Sequence, residues 1–263
     1  YRRVTKVMAD VTPNYEIVYV NENSPDGAEV ILREIAAQDP RLMVINHTRN
    51  FGSQEAYTTG LWYATGDAVI MLDGDIQDPP ELFPDLVRRW LEGYSVVYGI
   101  RERRRGSLIR RASYKLFYRV LRALAEINMP LDASDFGLID RRVINTINAM
   151  PESNRFIRGL RAWTGFKSIG IPYTRDVRFS GTTNYTFMNY ISHALRLIFA
   201  FSFKPLEWIS YLASAVTVLA GIGLIIYLIL AVTTELPRGW PTLVVAILFL
   251  GAIQLFCISI IGE

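Results

Sequence analysis

The sequence predicts an α/β domain built on a mostly parallel sheet, followed by two membrane-spanning helices. Three observations lead there. Short β-type runs alternate with helix-patterned stretches through the first hundred residues, the order that yields parallel strands covered by helices. From Trp208 to Thr234, 27 residues pass without Asp, Glu, Lys or Arg, and 24 more do so from Gly239 to Gly262. Each run exceeds the ~20 residues needed to cross a bilayer core. With 51% hydrophobic and 20% charged residues among 263, a disordered or collagen-like chain is excluded.

Taken in order, the strands are expected at Glu16–Val20, Leu42–Asn46, Ala68–Leu72 and Val96–Tyr98, and the helices near Ala28–Ala37, Ser53–Ala64 and Glu81–Leu91. In such folds the ligand site gathers at strand ends, so the residues following each strand matter most. No GxGxxG follows a strand; Gly221-Ile222-Gly223 lies in an apolar run, where close helix packing explains it. Between Thr186 and Phe203, the residues Phe187, Ile191, Leu195 and Ile198 recur at helical spacing, which predicts an interfacial helix along a membrane. The expected domains are 1–185, an α/β catalytic domain; 186–205, the interfacial amphipathic helix; and 206–263, a two-helix transmembrane domain.

Charge is concentrated before the apolar runs. Setting aside Glu207, Glu235, Arg238 and Glu263 leaves 27 basic and 22 acidic side chains, a net +5, which suits an anionic ligand or lipid surface. Nucleic acid is not among the expected partners. His193, Arg196 and Lys204 precede the first run, whereas the intervening loop offers only Glu235 and Arg238; the positive-inside rule then puts the large domain in the cytoplasm. No signal peptide is expected before it, in keeping with that side. The single cysteine, Cys257, excludes disulfides within the chain and a thiolate metal site.

The strongest chemical signal is Asp73-Gly74-Asp75 at the end of an apolar strand. Side chains two apart on a strand share a face, and glycine lets the backbone turn, so both carboxylates can converge on one hard cation. Mg2+ or Mn2+ takes one or two carboxylates and fills its other positions with water and substrate phosphates. Asp78 precedes Pro79 and stands three before Glu81, the pattern of an N-cap and capping box. It is expected to serve structure.

The string Asp73-Gly74-Asp75-Ile76-Gln77-Asp78-Pro79-Pro80-Glu81, with Arg49-Asn50-Phe51-Gly52 and Ala64-Thr65-Gly66-Asp67 before it, resembles the GT-A (Rossmann-like), family 2 polyisoprenyl-phosphate glycosyltransferases. Leu131 to Arg141, Asn154 to Leu160 and the two-run tail are similar to further blocks of that family. The resemblance implies transfer of a sugar from a nucleotide diphosphate donor to polyprenyl phosphate on the cytoplasmic membrane face, by a metal-dependent, inverting displacement. UDP-glucose and undecaprenyl phosphate are the donor and acceptor it favours, and a homo-oligomer is expected. On this basis Asp75 binds the metal, Asp73 supports metal or donor ribose, Gln77 joins the same cluster, Glu22 meets the base or ribose, and Asp135 orients acceptor or sugar. The chain departs from the pattern at Glu22-Asn23-Ser24, at Gly137 after Phe136, and at Gly181-Thr182-Thr183-Asn184-Tyr185, which lacks a lysine.

Diphosphate and lipid phosphate call for cations. Arg101 after a strand, and Arg110, Arg111 and Lys115 beyond it, are the candidates because guanidinium forks match phosphate oxygens, with Arg155 and Arg158 as additional contacts. His47 is expected to be a satisfied loop histidine. Two other functions compete: a processive polysaccharide synthase, which would carry a Gln-x-x-Arg-Trp string absent here, and a catalytically inactive membrane-anchored lipid-binding scaffold, against which the intact acidic cluster argues.

Overall fold

Residues 1–75, 77–101, 133–153, 155–175, 204–233 and 239–262 are described by a computed structural model. They belong to two units, one holding the described residues up to 175 and the other those from 204 onward. The expected interfacial helix at 186–205 lies outside the described residues apart from its last two, which begin a later helix.

In the first unit, helix α1 (Arg2–Val11) leads into strand β1 (Ile17–Asn21), helix α2 (Ala28–Gln38), strand β2 (Leu42–Asn46), helix α3 (Ser53–Tyr63) and strand β3 (Ala68–Met71). A 3-10 turn (Pro80–Leu82) runs into helix α4 (Phe83–Leu91), then strand β4 (Val96–Arg101). After the undescribed residues come β5 (Ala133–Asp140), α5 (Arg141–Ala149), α6 (Ile157–Trp163) and β6 (Ser168–Tyr173). The expected strands and helices are all present; β4 runs three residues further, to Arg101.

The sheet order corrects the expectation of a mostly parallel sheet. β1 and β2 pair in parallel, but the other four strands lie in the order β3-β5-β4-β6. β5 is antiparallel to both β3 and β4, while β4 and β6 are parallel. The reversal has a consequence for chemistry. Because β5 runs backwards, its first residues lie at the same sheet edge as the last residues of β3, β4 and β6, with Ala133 opposite Ile100 and Tyr173 opposite Arg101. Gly137 makes the insertion of β5 possible: a Cβ there would sit 2.3 Å from the Val97 carbonyl oxygen and 2.8 Å from Tyr98 Cα. No side chain fits between these backbones, which accounts locally for glycine after Phe136.

Glu16, just before β1, accepts hydrogen bonds from Thr65 N at 2.6 Å, Thr65 Oγ1 at 2.8 Å and Gly66 N at 3.0 Å. The Ala64-Thr65-Gly66-Asp67 block thus ties β1 to the entrance of β3. The Asp140 carboxylate caps α5 by accepting from Arg142 N at 2.9 Å and also takes the Trp90 indole N–H at 2.8 Å. The core beneath the strand ends holds Phe83, Leu86, Val97, Phe136, Leu138 and Tyr173. Val4, Val7, Met8 and Val11, spaced along one face of α1, pack on it.

In the second unit, α7 (Lys204–Thr233) packs on α8 (Trp240–Gly262), and Tyr227 Oη and Thr242 Oγ1 share a hydrogen bond of 3.0 Å. One stretch among the described residues, Glu207–Tyr227 in α7, is long and apolar enough to cross a membrane; the apolar stretch Thr242–Ile258 of α8 is shorter. The expectation of two spans therefore has one qualifying helix behind it. Large apolar side chains on both helices, such as Leu219, Ile225, Ile247 and Phe249, are exposed.

Phe136 is 1% exposed, with the Phe83 and Tyr173 rings at 6.4 and 5.4 Å between centroids. Phe136→Ala should lower stability by about 3–5 kcal/mol, measured by denaturation in detergent.

Candidate active site

Asp73 and Asp75 follow β3, in the turn where a Cβ on Gly74 would lie 2.9 Å from Tyr19 Oη of β1. The two carboxylates come together. They do so on a side chain that local sequence patterns do not single out. Arg175, two residues after β6, places Nη2 3.2 Å from Asp73 Oδ2 and 3.6 Å from Asp75 Oδ2. Its Nε donates to Asp78 Oδ1 at 3.1 Å, and Nη2 lies 3.5 Å from Asp78 Oδ2.

Asp78 is the main correction to the predicted roles. It caps nothing: the 3-10 turn has Pro79 at its N-cap and no side-chain cap bond, and Glu81 pairs instead with Arg3 at 2.7 Å. Asp78 is 1% exposed and accepts from Tyr173 Oη at 2.5 Å as well as from Arg175. A capping pattern is local, whereas these partners lie about a hundred residues away, and a buried carboxylate is retained where cations and hydroxyls compensate it. Three acids within six residues were the available signal, because such a cluster requires a cation from elsewhere in the chain.

A continuous polar chain results. Arg101, at the end of β4, donates from Nε to Tyr173 Oη at 3.3 Å, Tyr173 to Asp78, and Arg175 spans Asp78 and Asp73. Tyr57 of α3 donates its hydroxyl to the other oxygen of Asp73. Burial first, and then the Asp73 charge, push the Tyr57 phenol far above its ordinary range, so it remains a donor. Burial also raises Asp73, with Asp78 and Asp75 adding to the effect against the hydrogen bond from Tyr57. The Asp75 carboxylate accepts from Gln77 N at 3.2 Å, which ties Gln77 to the cluster through its backbone. Glu22, after β1, feels Asp73 electrostatically, and burial raises its carboxyl. Next to it, Asn21 and Asn46 close the ends of β1 and β2 with a 2.9 Å side-chain hydrogen bond.

Asp135 reaches the same edge through the reversed β5. It is paired with Arg158, which donates from Nη2 at 2.7 Å and Nε at 3.3 Å. Burial alone would raise its carboxyl, yet the charge and hydrogen bonds of Arg158, with Arg161 and Arg101 nearby, hold it below the usual carboxylate range. Arg161 is 5% exposed, donates to the Ser134 carbonyl at 3.1 Å, and is pushed down to about 10 by burial. Arg155 donates to the Ile147 carbonyl. Arg155 and Arg158, expected as additional phosphate or sugar contacts, thus meet internal partners, Arg158 a carboxylate and Arg155 the backbone. His47 Nε2 shares a 3.0 Å hydrogen bond with Thr59 Oγ1. Arg110, Arg111 and Lys115 lie outside the described residues.

Among the described residues no three His, Cys, Asp or Glu side chains form a ready-made metal cage. The three aspartates surround a guanidinium rather than a common point. Even so, Asp73 Oδ2 and Asp75 Oδ2 both reach one cationic nitrogen, and Mg2+ or Mn2+ needs only one or two carboxylates. Asp73 and Asp75 are therefore the side chains here that could hold such an ion.

Residues 1–147 match the family model described as glycosyl transferase family 2. A Bacillus subtilis (strain 168) protein named "Uncharacterized glycosyltransferase YkcC" is 38% identical over 269 residues, covering 100% of this chain and 82% of that protein. The "Prophage bactoprenol glucosyl transferase homolog" of Escherichia coli (strain K12) is 36% identical over 250 residues, 94% of this chain and 82% of that protein. The "Bactoprenol glucosyl transferase" of Shigella phage SfX is 34% identical over 252 residues, again 94% and 82%.

Asp135→Asn should cost about 3 kcal/mol at neutral pH, because it leaves Arg158 and Arg161 without their counter-charge. The folded-state carboxyl is depressed, so its contribution is present above the ordinary aspartate range and is lost as pH falls through the folded value. Melting curves of wild type and Asp135→Asn should therefore converge in acid.

Proposed function

The chain belongs to glycosyl transferase family 2, and from that premise we propose that it transfers glucose from UDP-glucose to a polyprenyl phosphate at the cytoplasmic face of a membrane. The observation that supports this most is the aspartate cluster following β3, in a chain that aligns over 94% of its length with proteins named bactoprenol glucosyl transferase or its prophage homolog.

The acceptor phosphate is ionised at neutral pH, so no residue has to remove a proton. One of its oxygens bonds to the anomeric carbon while the bond from that carbon to the diphosphate oxygen breaks. UDP leaves with the electron pair, and the anomeric configuration inverts. A divalent cation, when bound, supplies charge to the departing diphosphate. Asp73 and Asp75 would hold that cation, with Tyr57 fixing the rotamer of Asp73 and Gln77 N fixing that of Asp75. Glu22 would meet the base or ribose. Arg101, with Arg110 and Arg111 in the same role, would contact phosphate oxygens.

Asp135 orients acceptor or sugar. A carboxylate held ionised against Arg158 is a poor proton acceptor and a good anchor for sugar hydroxyls. For the membrane, α7 supplies one span by length and composition. α8, with 23 residues at about 1.5 Å rise each, is long enough for a second across a ~30 Å core. Lys204 begins α7 and fits the cytoplasmic side.

The test is label transfer from UDP-glucose, UDP-N-acetylglucosamine or GDP-mannose to extractable polyprenyl phosphate, with purified protein in detergent. Labelled lipid should form from UDP-glucose with Mg2+ or Mn2+. Asp75→Asn should lower turnover at least ~1000-fold with an unchanged circular dichroism spectrum. No labelled lipid from any donor, or full turnover by Asp75→Asn, contradicts the proposal.

A further inference from the structure

The position of Arg175 goes beyond the catalytic assignments above. Its guanidinium is anchored at one end, where Nε donates to the buried Asp78 at 3.1 Å. Its other end, Nη2, stands between Asp73 and Asp75 at 3.2 and 3.6 Å. Nη2 also lies 3.5 Å from Asp78 Oδ2, so Asp78 meets the fork through both nitrogens, whereas Asp73 and Asp75 meet it through Nη2 alone. Tyr173 holds Asp78 in place at 2.5 Å, so a turn of the guanidinium tip gives up the 3.5 Å contact but can keep the Nε bond to Asp78.

We propose that Arg175 is a tethered placeholder that occupies the cation's seat between Asp73 and Asp75, and yields it when a divalent ion enters with the nucleotide diphosphate. This rests on the assignment of Asp73 and Asp75 as cation ligands. The physical need is direct. Three carboxylates lie within the one connection between β3 and the 3-10 turn, and without a positive charge between them their mutual repulsion would open the site. A single guanidinium compensates part of that charge and keeps the side chains in position. A dication satisfies the pair better, but it must first displace the tethered charge.

Affinity for the bare ion is thereby held down, and the ion is favoured in company with the diphosphate, whose negative charge the freed guanidinium tip then faces. Arg175 acts as a positioning residue, through the aspartates and the leaving group, and takes no part in bond making. The arrangement also accounts for there being no ready-made metal cage among the described residues: the carboxylate oxygens are set around a planar fork that reaches in from Asp78.

The experiment is Mn2+ titration of the full chain in detergent without nucleotide, followed by electron paramagnetic resonance of free Mn2+. Arg175→Gln should bind Mn2+ at least ~10-fold more tightly than wild type, since a like charge at contact distance has been removed. Arg175→Lys, which keeps the charge, should stay within ~3-fold. The same preparations give a second readout through their melting temperature. Mn2+ should raise it more in Arg175→Gln than in wild type, and this measurement also serves for a variant too unstable to titrate. Equal or weaker Mn2+ binding by Arg175→Gln, or an equal or smaller rise in melting temperature, overturns the placeholder. In that case a loss of binding in Asp75→Asn leaves the cation assignment standing. Mn2+ binding indifferent to Asp75→Asn overturns both.

Discussion

Charge compensation between Arg175 and the aspartates at positions 73, 75 and 78 is the constraint around which the catalytic unit is organised. Carboxylates this close must share a cation, and the chain supplies one from the far end of β6. That contact requires β6 to lie beside β4, Tyr173 to stand opposite Arg101, and Asp78 to be drawn under the strand ends, where it is 1% exposed. The aromatic cluster of Phe83, Phe136 and Tyr173, tilted and edge-on, supports it from below. Core and site are joined through one residue, since Tyr173 contributes its ring to the core and its hydroxyl to Asp78.

A second charged pair, Asp135 with Arg158, meets the same edge for a topological reason. An all-parallel sheet would carry the start of β5 to the opposite edge. The antiparallel insertion of β5 between β3 and β4 brings it to the strand ends instead, and Gly137 supplies the close backbone approach this needs. The two networks respond differently to burial. Asp73 is raised because burial and neighbouring acids outweigh the bond from Tyr57, whereas Asp135 is lowered because its arginines outweigh burial. A family 2 glycosyltransferase thus carries two aspartates in contrasting environments at one sheet edge.

Much of this was legible along the chain. Strand positions followed from short-range apolar runs, and Asp73-Gly74-Asp75 was visible because both its acids and its glycine lie at one strand end. Three features were not legible, each for a tertiary reason. The direction of β5 depends on pairing with strands distant in sequence. Asp78 satisfies a local capping pattern, yet in the fold its partners are Tyr173 and Arg175. Arg155 and Arg158 fit a phosphate-binding description by residue type, but one meets a carbonyl and the other a carboxylate. Arg101 stands at the end of β4 as its place after a strand implies, and there its Nε donates to Tyr173 Oη.

The cation position proposed between Asp73 and Asp75, with Arg175 in it while the ion is absent, is open to direct observation in an anomalous difference map from crystals grown with Mn2+ and UDP. One peak is expected within coordination distance of both carboxylates, with the Arg175 tip turned out of that position towards the diphosphate and its Nε still on Asp78. A map with the Arg175 tip still between the two aspartates, and the manganese peak elsewhere or absent, would contradict it.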